Sequence, residues 1–153
     1  MKRCIICLGL LGLVLISLTA ATQKRPRLLG VAHLAVFVSD VEKARGFYRD
    51  WLGFQEPYDL KNADGSLSLT FFKINENQYI EVFPGLKPEQ DRLNHISFYT
   101  DDAEGLRKYL AAKGWQVPAT VNKVRIGNAS FSVKDPDGHG VEFTQYEPDG
   151  WTR

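Results

Sequence analysis

The chain has 153 residues, with 19 Lys and Arg against 18 Asp and Glu and 44% hydrophobic residues. This near-neutral balance, without a long basic run, removes the electrostatic footing that nucleic-acid binding requires. The length allows one ordinary core and leaves a small molecule or a protein as the partner.

Residues 1–21 read as a signal peptide: Lys2 and Arg3, an apolar run from Cys4 to Leu18, then small residues at Thr19, Ala20 and Ala21. Cleavage after Ala20 or Ala21 would export the protein to the periplasm or the medium, with no membrane association afterwards. An uncleaved leader would instead anchor it, because the 18 residues from Cys4 to Ala21 approach the length that spans a bilayer. Both cysteines, Cys4 and Cys7, lie in the leader, so disulfides and thiolate metal ligands are excluded from the mature chain. Loss of Lys2 and Arg3 takes the net charge from +1 to −1. Residues 22–28 read as a flexible tether.

From Val31 to Val38 the sequence alternates, with His33, Ala35 and Phe37 on one face and Leu34, Val36 and Val38 on the other, as in a half-buried strand. Ser39 or Asp40 then caps a helix whose apolar stripe is Val41, Ala44, Tyr48, Trp51 and Leu52, ending at Gly53. Three strands follow, near Phe54–Leu60, Leu67–Ile74 and Gln78–Phe83, with Asp64-Gly65 turning between the first two. A polar, proline-bearing connector from Pro84 to Asp91 leads to a second strand, His95 to Thr100. Asp101 with Glu104 starts a helix carrying Leu106, Tyr109 and Leu110, and Gly114 stops it. Strands near Trp115–Val124, Ala129–Lys134 and Val141–Tyr146 complete the set, the last entered through the tight turn Asp135-Pro136-Asp137-Gly138. Trp51 and Trp115 read as core residues, and 147–153 as a tail.

The second half repeats the first. Ala32 to Asp40 aligns with Asn94 to Asp102 at an offset of 62, and Gly53, Pro57 and Glu81 meet Gly114, Pro118 and Glu142 at an offset of 61. The expected architecture is therefore α+β: two tandem βαβββ modules, 29–84 and 92–146, forming one domain (29–146). Their eight strands are expected to make a partly open, barrel-like sheet around a cleft.

Polar residues interrupt these apolar strands at matched places. His33 and His95 open the first strand of each module, and Glu81 and Glu142 sit inside the last. A lone mid-strand Glu commonly marks a solvated face, and a lone His an ordinary hydrogen-bonded residue. Burying a carboxylate without compensation would cost several kcal/mol, so four such residues at repeated positions suggest a shared partner. Imidazole with carboxylate suits one divalent ion, Zn, Ni, Mn, Co or Fe(II). The residues alone leave both readings open. His139, in the turn before Glu142, reads as a loop residue. Ala35 and Ser97 would leave room for a ligand, and Phe37 and Tyr99 either line the cleft mouth or pack in the core.

Ala32-His33-Leu34-Ala35-Val36, continuing through Ala44-Arg45-Gly46-Phe47-Tyr48 to Leu52-Gly53-Phe54, resembles the opening of the vicinal oxygen chelate superfamily. Asn94-His95-Ile96-Ser97-Phe98 and Asp135-Pro136-Asp137-Gly138 with Val141-Glu142-Phe143 carry the same resemblance in the second module. It spans nearly all of Leu28 to Tyr146. The superfamily includes glyoxalase I, extradiol dioxygenases, fosfomycin-resistance enzymes and bleomycin-binding proteins. The resemblance implies His33, Glu81, His95 and Glu142 as metal ligands, with Glu81 or Glu142 as the catalytic base. It implies an exported metal-dependent enzyme that chelates a small oxygenated substrate, in lyase, isomerase or dioxygenase style, and a homodimer. The alternative is a non-catalytic small-molecule-binding module. Glyoxalase I itself fits an exported chain poorly, because glutathione belongs mainly to the cytosol.

Overall fold

The computed structural model describes residues 24–151. The predicted leader lies outside them, and among the described residues no helix is long and apolar enough to cross a membrane.

The order strand, helix, three strands occurs twice. The first half contains β1 (Leu28–Val38), α1 (Val41–Arg45), β2 (Gln55–Lys61), β3 (Leu67–Asn75) and β4 (Gln78–Pro84). The second contains β5 (Leu93–Thr100), α2 (Ala103–Ala112), β6 (Asn122–Lys123), β7 (Ala129–Lys134) and β8 (Gly140–Gln145). All eight strands form one sheet in the order β2-β3-β4-β1-β5-β8-β7-β6. In each half the first and last strands pair in parallel, β1 with β4 and β5 with β8, and β1 joins β5 antiparallel at the centre. The fold is the α+β architecture expected from the sequence.

Period-two patterning sorts the side chains between the two faces of this sheet. The outer face packs on the helices: Ala44, Phe72 and Val82 cluster with Val36, Val38, Tyr48 and Ile80 in the first half. Ala103, Leu106, Phe131 and Phe143 do the same in the second. The inner face curls around a cleft, and a third cluster closes it: Leu60, Phe71 and Tyr79 from the first half meet Ile126 and Val124 from the second.

Several expectations are revised. Asp40 and Asp102 are the N-caps, accepting from Lys43 N–H and Gly105 N–H, whereas Asp101 pairs with Arg27 at 2.6 Å. Arg27, placed in the tether, is thereby fastened to the sheet, and Leu28 already belongs to β1. The first helix changes to a π-helical turn over Gly46–Trp51, with Leu52 N–H donating to Phe47 C=O. The wider turn leaves Tyr48 against Phe72 but swings Trp51 off the core stripe, 81% exposed. Trp115 is likewise a surface residue at 41% exposure, its indole N–H donating to Lys134 C=O. Only Asn122–Lys123 of the expected Trp115–Val124 strand is laddered. Pro118 has no N–H to contribute, and its carbonyl is taken by the Arg107 guanidinium. Residues 147–151 lie against the β6–β7 loop: Trp151 N–H donates to Ile126 C=O, and Lys123 pairs with Asp149 at 2.7 Å.

Candidate metal centre

Four inner-face residues converge where the halves join. The register sets Ala35 beside both Glu81 and His95, and His33 beside Ser97, while Ser97 faces Glu142. The two imidazole Nε2 atoms lie 2.9 Å apart. The Glu81 carboxylate approaches His33 to 3.6 Å and His95 to 3.8 Å. Glu142 approaches the same rings to 3.9 and 3.6 Å. Donor atoms of His33, Glu81 and His95 all lie within 4.8 Å of one another, so these three form the tighter group, and Glu142 adjoins it through its approaches to both rings. Small neighbours permit this convergence: Ala35 and Ser97 are fully buried, and Gly140 runs so close to β5 that a Cβ there would lie 2.8 Å from the Asn94 carbonyl.

Burial governs the charge state. Desolvation, reinforced by the neighbouring His95, lowers the His33 pKa to about 3. Desolvation alone lowers that of His95 to about 4. Both imidazoles are therefore neutral near pH 7, and their contacts to the carboxylates are not ion pairs. Desolvation, then repulsion by Glu142, raises Glu81 to about 8. Glu142 is raised by desolvation, against which the Thr144 and Ser97 hydroxyls work. Thr144 Oγ1 donates to Glu142 Oε1 at 2.5 Å and Ser97 Oγ at 3.5 Å. No hydrogen-bond donor among the described residues serves Glu81 in the same way.

The donor set fits a divalent cation. Ligand atoms about 2.1 Å from one ion lie roughly 3.0 to 3.4 Å from each other, for octahedral and tetrahedral angles. The observed imidazole–imidazole and imidazole–carboxylate separations, from 2.9 to 3.9 Å, bracket that range. Two neutral imidazoles facing each other through Nε2 can share only one hydrogen, and among the described residues neither Glu81 nor Glu142 pairs with a Lys or Arg. A divalent ion would satisfy His33, Glu81 and His95 together.

The other sequence candidates fall elsewhere. His139 pairs with Asp135 at 2.9 Å in the exposed turn, apart from the four. Phe37 and Tyr99 stand one layer behind the cleft, packed on Phe83 and Tyr146, which do line it. Thr144 was not singled out from the sequence. Its signal was the two-residue step from Glu142, which puts it on the same face. Val124 and Ile126, the cleft's far wall, carried no signal: the strand expected through Val124 stops at Lys123, and both residues lie in the loop that follows.

A mixed sheet of two βαβββ halves with a His- and Glu-lined cleft at their junction defines a class of paired-module, metal-site folds. The family model for the Glyoxalase/Bleomycin resistance protein/Dioxygenase superfamily matches residues 30–143, and the chain belongs to that superfamily. The chain is 24% identical over 123 residues to the uncharacterized protein YwbC of Bacillus subtilis (strain 168), covering 75% of this chain and 96% of that one. Methylmalonyl-CoA epimerase from Mycobacterium tuberculosis shares the fold with a TM-score of 0.67 at 16% identity, over 79% of this chain and 90% of that chain. Homoprotocatechuate 2,3-dioxygenase from Arthrobacter globiformis matches with a TM-score of 0.62 at 21% identity, over 80% of this chain but 41% of the dioxygenase.

Proposed function

We propose that the protein is a metal-dependent enzyme that binds a small substrate through two neighbouring oxygens and moves a proton on it. The observation that carries this is the meeting of His33, Glu81, His95 and Glu142, with every imidazole–carboxylate separation within 3.9 Å. Membership of a superfamily whose fold is shared by an epimerase and a dioxygenase supports it.

A bound divalent ion would supply Lewis acidity toward the paired substrate oxygens. His33 and His95, kept neutral by burial, offer Nε2 lone pairs without first losing a proton. Glu142 is fixed by Thr144 and Ser97 and serves as a stationary ligand. Glu81 has no such tether. It is the carboxylate free to turn toward the substrate and to take or return a proton, the general-base role. In the same reading the 1–21 leader places this activity outside the cytoplasm, and cell fractionation with N-terminal sequencing of the mature chain tests that part.

The direct test is metal analysis of the purified protein beside a His33→Ala, His95→Ala double variant. Stoichiometric divalent metal in the wild type and none in the variant is expected. The metal-loaded protein is then screened on vicinal diols, catechols and 2-oxoaldehydes. A wild type that neither retains nor takes up metal would overturn the reading in favour of a binding module without chemistry.

A further inference from the structure

We infer that the substrate carries its paired oxygens on an apolar, ring-bearing body, and that the Val124–Gly127 loop is the segment that selects this body. The inference rests on the metal-centre reading and extends it from the four ligands to the rest of the cleft.

The cleft encloses a cavity of about 360 Å³. The four candidate ligands occupy one part of its lining. The remainder is dominated by Leu60, Leu69, Phe71, Tyr79, Val124 and Ile126. A cavity of about 150 Å³ suffices for a benzene ring, so this one, at more than twice that volume, accommodates a ring with a two-oxygen head and a further substituent. An apolar wall of this kind stabilises a ligand by removing its hydrocarbon surface from water and offers nothing to a charged one.

Two cations stand beside this apolar wall, Lys123 at the end of β6 and Arg125 in the loop. The Arg125 guanidinium donates to Lys61 C=O at 2.5 Å and reaches Ser68 Oγ at 3.4 Å, so it bridges to the β2–β3 hairpin. The Lys123 ammonium is paired with Asp149 at 2.7 Å. Both line the cleft: Lys123 is neutralised by Asp149, whereas Arg125 bonds neutral oxygens and keeps its charge.

The loop is also fastened in place. Gly127 N–H donates to Val124 C=O, closing a tight turn at a positive φ of 91°. A Cβ at Gly127 would lie 3.1 Å from the Gly150 backbone, so the 147–151 segment sits directly on the loop. Trp151 binds Ile126 C=O through its N–H and packs its ring on Tyr58, with centroids 5.5 Å apart. Tyr58 in turn meets Phe71 edge to face. The roof over the apolar body is thus tied to both halves of the chain, and Ile126 is held pointing into the closing cluster.

The test uses two chelators with the same head and different bodies, acetohydroxamic acid and benzohydroxamic acid, titrated calorimetrically into the zinc-loaded full chain. Replacing methyl by phenyl should tighten binding about 30-fold. Ile126→Ser should erase about tenfold of that preference. Equal binding of the two chelators by the wild-type protein would overturn the inference and leave the metal centre standing. A chain that takes up no zinc and binds neither chelator overturns the metal centre, and this inference with it. Ring preference that survives intact in folded Ile126→Ser would overturn the role given to the loop.

Discussion

Replacing Glu81 by glutamine should change stability with opposite signs in metal-free and metal-loaded protein. In the metal-free chain, burial and the neighbouring Glu142 raise the Glu81 pKa from 4.5 to about 8. The folded state therefore holds this proton more tightly than the unfolded state. Stability associated with Glu81 is fully present below pH 4.5 and is lost as pH rises toward about 8. At 1.36 kcal/mol per pH unit the loss is about 3 kcal/mol at pH 7 and about 5 kcal/mol above pH 8. The substituted amide cannot ionise, and its NH₂ group can donate to a neutral imidazole Nε2 that accepts. Burying the amide consumes part of the gain, so a net stabilisation of about 1 to 3 kcal/mol at pH 7 is expected. Urea denaturation in EDTA, wild type against Glu81→Gln, should show the difference growing from pH 5 to pH 8. The titrations of His33 and His95 occur in both proteins and largely cancel in that difference. With saturating zinc the order should invert, because the wild type gains binding free energy that the variant has weakened. A difference independent of pH, or a variant less stable at pH 8 without metal, would refute the reasoning.

Glu142→Gln should weaken zinc retention by more than about 100-fold, since losing a ligand exceeds the 10- to 100-fold effect of losing a supporting group. His139→Ala, which removes only an exposed turn pair, should leave retention unchanged, and equal retention in both would discard the ligand assignment. Gly140→Ala forces a Cβ to 2.8 Å from Asn94 C=O and 3.0 Å from His95 Cβ, so it should displace His95 and lower zinc affinity at least about tenfold while the chain stays folded by circular dichroism. Trp51→Ala should alter stability by less than about 0.5 kcal/mol and Phe72→Ala by about 3 to 5 kcal/mol, read from urea midpoints.

The alternation of β1 and the matched placing of His33 with His95 and Glu81 with Glu142 made the architecture and the convergence of these four side chains legible in the sequence. Those features are set by local periodicity and by repetition, both of which a sequence displays directly. Trp51 failed as a core residue because a helix of 3.6 residues per turn was assumed and the chain opens into a π turn after Arg45. The Trp115–Val124 strand failed because Pro118 and the Arg107 contact keep most of it off the ladder. Val124, Ile126 and Trp151 were invisible as cleft elements for a different reason. Their roles come from the curl that brings the β6–β7 loop across to β2, a long-range closure with no periodic trace.

Repetition places four donors around one point, but it does not by itself provide a direction for chemistry. That direction enters where the halves differ. Beside Glu81 the sheet offers Ala35, and two residues further along its own strand stands Phe83, neither able to donate a side-chain hydrogen bond. At the equivalent places Glu142 has Ser97 and Thr144, and both hydroxyls bind its carboxylate. One carboxylate is therefore hydrogen-bonded by hydroxyls of the protein, whereas the other has the two imidazoles at 3.6 and 3.8 Å and the repelling Glu142 nearby. In the proposed function, a substrate presenting its own oxygens at this point would compete first with Glu81. The difference at two matched positions, Ala35 against Ser97 and Phe83 against Thr144, is what would make Glu81 the ligand that yields.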